Sequence, residues 1–290
     1  MSERIGGLSR GGQDVFAALL TALAYLVHSN LLISTAATSV AVTTIVLVGR
    51  SPDPVPLFIV FSATFFVYSV NRATDIEEDE LNVPERAAFT RSYGKICLAA
   101  GVVLYTLAVG VAIVRGLPKA GFLVLPVAAA VLYSLARLKR VLLVKNLLVG
   151  IAWGTIPLGV GVYYDTLLTV EVLALASFFT IMLTVAAAIF DIKDIHGDRA
   201  AGIRTVPIAF GIRATQVAAA ATTIAVTVGV LVAVFWGVLP GKFLVLLGFL
   251  GYVLAYIPFA TPERGPLFYG FIVDGEHVFL MVLVLLVEAL

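Results

Sequence analysis

Residues 71–79 read NRATDIEED, and the fifteen residues before them, PLFIVFSATFFVYSV at 56–70, carry no charge. Asn71, Asp75 and Asp79 are four apart, so on a helix all three project from one face. A carboxylate at the mouth of an apolar segment costs on the order of 3 kcal/mol by membrane-insertion scales and needs a partner. The same arrangement returns at 190–198, FDIKDIHGD, where Asp191, Asp194 and Asp198 also end a long apolar run. These two stretches decide the reading, because the chain either joins them into one site or wastes them both.

The surroundings fix the solvent. Of 290 residues, 61% are hydrophobic and 13% charged, and the mean hydropathy is +1.06. Polar residues this sparse cannot cover a water-soluble domain, so the chain reads as an all-α, multi-pass membrane protein. The net charge of +1 points to no polyanionic partner, and nothing suggests nucleic acid or an obligate protein partner. Cys97 stands alone, which excludes an intrachain disulfide. The opening MSERIGGLSRGGQD is too polar for a cleavable signal peptide.

Runs of about 17 to 25 apolar residues suit a bilayer, and nine can be laid out: about 30–49, 55–74, 93–114, 120–136, 145–164, 172–190, 214–236, 242–260 and 268–290. The interruption His28-Ser29-Asn30 leaves two options for residues 13–29, a separate interfacial helix or the start of one long tilted span. Only Arg50, Arg115, Lys119 and Lys242 of the 19 Lys and Arg fall outside if the N-terminus is inside. The other fifteen fall inside, a strong positive-inside bias. Both acidic stretches and the N-terminus therefore face the cytosol. The expected whole is a single domain over 1–290, in two acidic-motif halves of about 13–140 and 141–290.

Carboxylates at i, i+4 and i+8 offer hard oxygen ligands along one helix face. Magnesium prefers such donors and completes its shell with water and substrate phosphate oxygens. Two opposed acidic helices would hold two or more ions around a diphosphate and stabilise it as a leaving group. A different class of function, an ion-coupled transporter with intramembrane carboxylates, predicts acids near mid-bilayer. Glu77, Glu78, Glu80 and Glu85 read as solvated charges, and His196 as a solvated loop histidine. Asp274 and Glu276 are expensive at their depth in the last span, which places them near a cavity. Tyr68, Tyr133 and Asn146 lie at cytosolic span ends and read first as helix packing. Gly150, Gly154, Gly159 and Gly161 let neighbouring helices approach closely.

NRATDIEED followed by LNVPER resembles the first signature of the UbiA superfamily of intramembrane prenyltransferases, N-x-x-x-D-x-x-x-D then N-x-P-x-R. DIKDIHGDRAAGIRTVPIAFG, residues 191–211, is similar to that superfamily's second acidic motif. Its tail resembles the branch that includes chlorophyll synthase and archaeal digeranylgeranylglyceryl phosphate synthase. VLYSLARLKRVLLVKNLLVG, residues 131–150, is similar to the basic segment after the family's fourth helix. The resemblance implies a nine-helix transmembrane bundle around a central cavity, open laterally to lipid and capped by cytosolic segments. It also implies transfer of a polyprenyl group, such as geranylgeranyl, from its diphosphate to a lipophilic acceptor in lipid or quinone biosynthesis in a prokaryotic membrane, with Mg2+ as cofactor.

Carried over residue by residue, Asn71, Asp75, Asp79, Asp194 and Asp198 match the metal and diphosphate positions, and Asp191 an acid commonly just upstream. Asp75, Asp79, Asp194 and Asp198 are thereby the catalytic candidates. Asn71, Arg72, Lys139, Lys145 and Arg204 are the candidates for diphosphate contact, where cations complement phosphate oxygens. Two departures, PERAAF for the common P-x-R-P and Arg72 for the common Asp after Asn71, bear on the subfamily and hence on the acceptor.

Overall fold

The computed structural model describes residues 10–128, 142–265 and 267–290. Among them there is no strand. Seven helices are long and apolar enough to cross a bilayer, and a bent pair would make an eighth. The chain is a multi-pass membrane protein. Of the fourth expected span, residues 120–128 are described and begin with a 3-10 turn (Ala120–Leu123); its second half, with Tyr133, and Arg137, Lys139 and Arg140 after it lie outside the described residues.

Residues 10–47 are not one straight helix. Helix α1 (Arg10–His28) and α2 (Leu31–Leu47) are separate and meet at 64°. Asn30 makes the corner in the left-handed region, φ 66°, which asparagine tolerates better than most residues. Its side chain Nδ2 donates to Ser69 Oγ at 3.3 Å, tying the corner to the next span. Helix α2 is rich in Ser and Thr yet sits in the core. Ser34, Ser39 and Thr44 each donate their hydroxyl to the carbonyl four residues back, which removes the cost of burying them.

Helix α3 (Pro54–Thr74) starts cleanly because Asp53 accepts from the Val55 N–H at 2.8 Å and Pro54 occupies the first helical position. The polar stretch expected after it is itself helical: α4 (Ile76–Asn82), then α5 (Pro84–Val114), which begins nine residues before the expected span. Helices α6 (Val144–Tyr163) and α7 (Val170–Lys193) form the most intimate pair. Gly150 and Gly154 of α6 rest directly on Thr180 and Thr184 of α7, with no space for a Cβ. Gly161 similarly abuts Leu167 and Val172, whereas Gly159 faces open space and serves no close approach.

Past α7 come two short helices, α8 (Ile195–Ala200) and α9 (Val206–Phe210), then the span α10 (Ile212–Phe235). The next span runs Gly241–Phe259 around α11 (Leu246–Tyr256). The last is broken: a π-helical segment (Phe268–Val273) precedes α12 (Glu276–Ala289). Residues of α2, α7, α11 and the last span build the main core, including Phe179, Met182, Phe249 and Leu280, all fully buried.

Candidate functional site

The two acidic stretches are built by one device used twice. Helix α3 ends at Asp75 (φ −105°, ψ 22°), and α4 starts there. Helix α7 ends at Asp194 (φ −88°, ψ 6°), and α8 starts there. The three acids or amides of each stretch therefore do not lie on one continuous helix, as their spacing predicts. Local bonding nevertheless keeps helical pitch through both corners: Asp75 N–H reaches Asn71 O at 3.0 Å, Asp79 N–H reaches Asp75 O at 2.9 Å, and Asp198 N–H reaches Asp194 O at 2.9 Å. The corners turn the short helices α4 and α8 toward each other instead of out to solvent.

Helices α4 and α8 meet at Gly197, which lies between Asp194 and Asp198. Any Cβ there would overlap the Asn82 side chain at the end of α4. Asn82 belongs to the LNVPER stretch, so the contact joins the first acidic motif to the second.

Each buried acid of the two stretches is met by a cation. Arg86 Nε donates to Asp79 Oδ2 at 2.9 Å and Nη2 to Oδ1 at 2.5 Å, a bidentate clamp, while Arg72 Nη1 stands 3.9 Å from Asp79. Lys145 Nζ lies 2.8 Å from Asp191 and 3.4 Å from Asp198, bridging the two. Lys193 Nζ is 3.0 Å from Asp194. Asn146 Nδ2 donates to Asp191 Oδ2 at 2.9 Å, so this residue is part of the site rather than mere packing. Burial pushes the Asp198 carboxyl up to about 6, with Asp191 adding to the rise and Lys145 opposing it.

Arg204 is exposed and makes no ion pair with a described residue. Lys139 lies outside the described residues. Arg86 and Lys193 were not among the candidate contacts. Arg86 had a signal in the sequence, the last letter of N-x-P-x-R, and Lys193 sits between two motif acids. Glu77, Glu80 and Glu85 are exposed, and so is His196, as solvated charges should be.

The donor set suits a hard divalent cation. Asn71 Oδ1 and Asp198 Oδ1 are buried and accept no hydrogen bond among the described residues, leaving lone pairs that a cation could meet. Among the described residues, however, no three His, Cys, Asp or Glu side chains gather closely enough to hold an ion by themselves. The fit is to a cation that takes one or two carboxylates and completes its shell from elsewhere, which is magnesium's habit with phosphates.

Beside the acids lies a cavity of about 50 Å³. Arg72, Arg86 and Lys193 line it together with Tyr68, and Asp274 comes in from the last span. Glu276 does not line it. It is fully buried in the bundle and accepts from Tyr256 Oη at 2.7 Å.

The sequence pattern of the UbiA prenyltransferase family matches residues 34–266. The digeranylgeranylglyceryl phosphate synthase of Methanothermobacter thermautotrophicus is 30% identical over 164 residues, 56% of this chain and 57% of that protein. The match thus spans little more than half of that relative's length. The fold is similar to the apo structure of a UbiA homolog from Aeropyrum pernix K1, with TM-score 0.64 and 18% identity over 89% of this chain and 99% of that one. It is also similar to a UbiA homolog from Archaeoglobus fulgidus bound to GPP and Mg2+, with TM-score 0.60 and 12% identity over 92% and 99%.

Proposed function

The chain belongs to the UbiA prenyltransferase family, and from that premise we propose that it transfers a polyprenyl group from a prenyl diphosphate to a lipophilic acceptor within the membrane. The observation that carries this reading is the Gly197–Asn82 contact, which joins two acidic motifs, each already charge-matched, at one end of the bundle. Acids at the ends of spans support group transfer over ion transport. The positive-inside bias supports a cytosolic site and N-terminus, and the shared core of early and late spans supports one domain over 1–290.

Asn71, Asp75 and Asp79 would hold metal from one side, and Asp194 and Asp198, with Asp191 behind them, from the other. Bound magnesium, in one or more ions, supplies positive charge to the oxygens of the departing diphosphate. The chain's own cations divide the rest. Lys145, Arg72 and Arg86 are within reach of the acids and would transfer their hydrogen bonds to phosphate oxygens once metal neutralises the carboxylates. Held in place beforehand, these donors need no reorganisation as charge leaves, and that is where most of the rate would come from. The apolar bundle and lipid take the tail.

The relative from Methanothermobacter thermautotrophicus suggests geranylgeranyl diphosphate as first donor and geranylgeranylglyceryl phosphate as first acceptor to try. The test is magnesium-dependent release of diphosphate from that donor by purified protein in nanodiscs. Asp75→Ala and Asp198→Ala should each lower release by ~10²-fold or more, in the range seen when a preorganised electrostatic group is removed. Unchanged rates in folded variants would sink the proposal.

A further inference from the structure

Asp274 belongs to neither acidic motif, yet it opens into the same cavity. It sits at the break of the last span, after the π-helical segment Phe268–Val273 and before α12. Its N–H reaches back five residues to Tyr269 O at 3.1 Å, the π-type bond that closes the segment. Single π turns inside helices are costly and cluster at functional positions. Non-helical or broken backbone at membrane depth is tolerated where it lines a cavity. This break does so: Tyr269, Gly270 and Asp274 all contribute to the wall.

What faces Asp274 is equally specific. Arg72, Lys193 and Arg86 are the cations whose fields reach it, and all three line the cavity. Each is already assigned to a motif acid, Arg72 and Arg86 to Asp79 and Lys193 to Asp194. Among the described residues, no hydrogen bond or ion pair is made to the Asp274 carboxylate. His28 and Asn30, at the α1–α2 corner, line it as well. A space of about 50 Å³ takes one small polar group or a water or two, not a ring or an isoprenoid. The wall thus combines three cations with one carboxylate.

Resting on the transfer reading above, we propose that Asp274 is the catalytic base that receives the acceptor's proton. As the acceptor oxygen's lone pair forms the new bond to C1 of the donor, its O–H proton passes to the Asp274 carboxylate. The bond between C1 and the diphosphate oxygen breaks, and its electron pair leaves on the diphosphate. Asp274 gives the proton to water when product departs. Arg72, Arg86 and Lys193 line the same cavity and put positive charge beside the carboxylate. No motif residue is free for this task, since metal would occupy them.

The test separates two steps that a motif acid would couple. With geranylgeranyl diphosphate and magnesium, total diphosphate release is measured beside the fate of the prenyl group, either as adduct with the free hydroxyl of geranylgeranylglyceryl phosphate or as geranylgeraniol from capture by water. Asp274→Asn, which keeps shape and removes the base, should lower adduct formation by ~10²-fold. Release should fall by no more than a few fold, with geranylgeraniol rising in its place. Asp274→Glu should restore part of the adduct. An unchanged ratio of adduct to alcohol in Asp274→Asn overturns the assignment. So does an equal loss of release and transfer in both variants, which would mark Asp274 as part of the ionisation machinery or of the fold. If the wild-type protein releases no diphosphate with magnesium, it is the transfer reading itself that fails.

Discussion

Gly197 lies flush against the side chain of Asn82, with no space between them for a methyl group. The contact lets α8 approach the end of α4, with Gly197 immediately before Asp198 and Asn82 three residues past Asp79. The close approach of the two halves of the site at this point thus depends on the missing side chain.

Gly197→Ala should displace the Asn82 side chain and with it the packing of α4 on α8. Overpacking costs about 1 to 3 kcal/mol where neighbours cannot yield, and here the strain falls on the metal site. Magnesium-dependent diphosphate release should drop tenfold or more while the spans stay folded by circular dichroism. Adding Asn82→Ala to Gly197→Ala should recover activity above either simple sum, since the two residues are in contact. Additive losses would mean that the contact does not set the spacing.

Arg86 clamps Asp79 through two nitrogens, across the corner between α4 and α5. Arg86→Ala leaves Asp79 buried without its fork and should destabilise by about 2 kcal/mol, below the 3 to 5 of a fully buried pair. Arg86→Lys should recover little, because an ammonium cannot make both bonds. Unfolding midpoints of the three proteins in detergent, compared at one pH, check this.

The spans and both acidic stretches were legible from apolar run length and from the spacing of Asn71, Asp75, Asp79 and Asp191, Asp194, Asp198. The corners at Asp75 and Asp194 were not. Each corner keeps its i to i−4 bonds, so spacing alone cannot tell a bent helix from a straight one; the bend is dictated by where Asn82 and Gly197 must meet. The start of α5 was also hidden, since Pro84 at the first turn of a helix looks in sequence like a loop. The charge pairing was half legible. Arg86 stood in a quoted motif, but its choice of Asp79 depends on the turn at Val83. Lys193 follows a motif acid, yet only the packing of α7 decides that it reaches forward to Asp194.

Lys145 neutralises two acids that metal would also claim. Lys145→Met should therefore tighten magnesium binding in the absence of donor, by severalfold in a calorimetric titration, and weaken donor binding in its presence. A lysine that served only as a topological charge would change neither.

Asp198 titrates at about 6 because burial disfavours its charge. A folded value above the ordinary one means that the stability it allows is fully present below about 4 and is lost as pH rises through about 6. Magnesium binds the ionised form and reverses that loss. The rise in melting temperature on adding magnesium should be larger at pH 7.5 than at pH 5.5, and Asp198→Asn should flatten the difference. Equal stabilisation at both pH values would remove Asp198 from the metal's ligands.

Asn146, Gly150 and Gly154 are four residues apart, and all three meet α7. The glycines bring the backbones together, and one turn nearer the helix start Asn146 and Lys145 grip Asp191. Packing and chemistry are thus one surface. Gly150→Ile places a branched side chain where Thr180 and Thr184 already are and pries the start of α6 away from α7. Lys145 and Asn146 should then lose Asp191, and diphosphate release should fall by an order of magnitude or more. Gly159→Ile, nine residues further on and facing open space, is the control: it adds the same side chain to the same helix and should leave both stability and release near wild type. Parallel losses in the two variants would mean that α6 tolerates no bulk anywhere and that Gly150 has no special tie to the site.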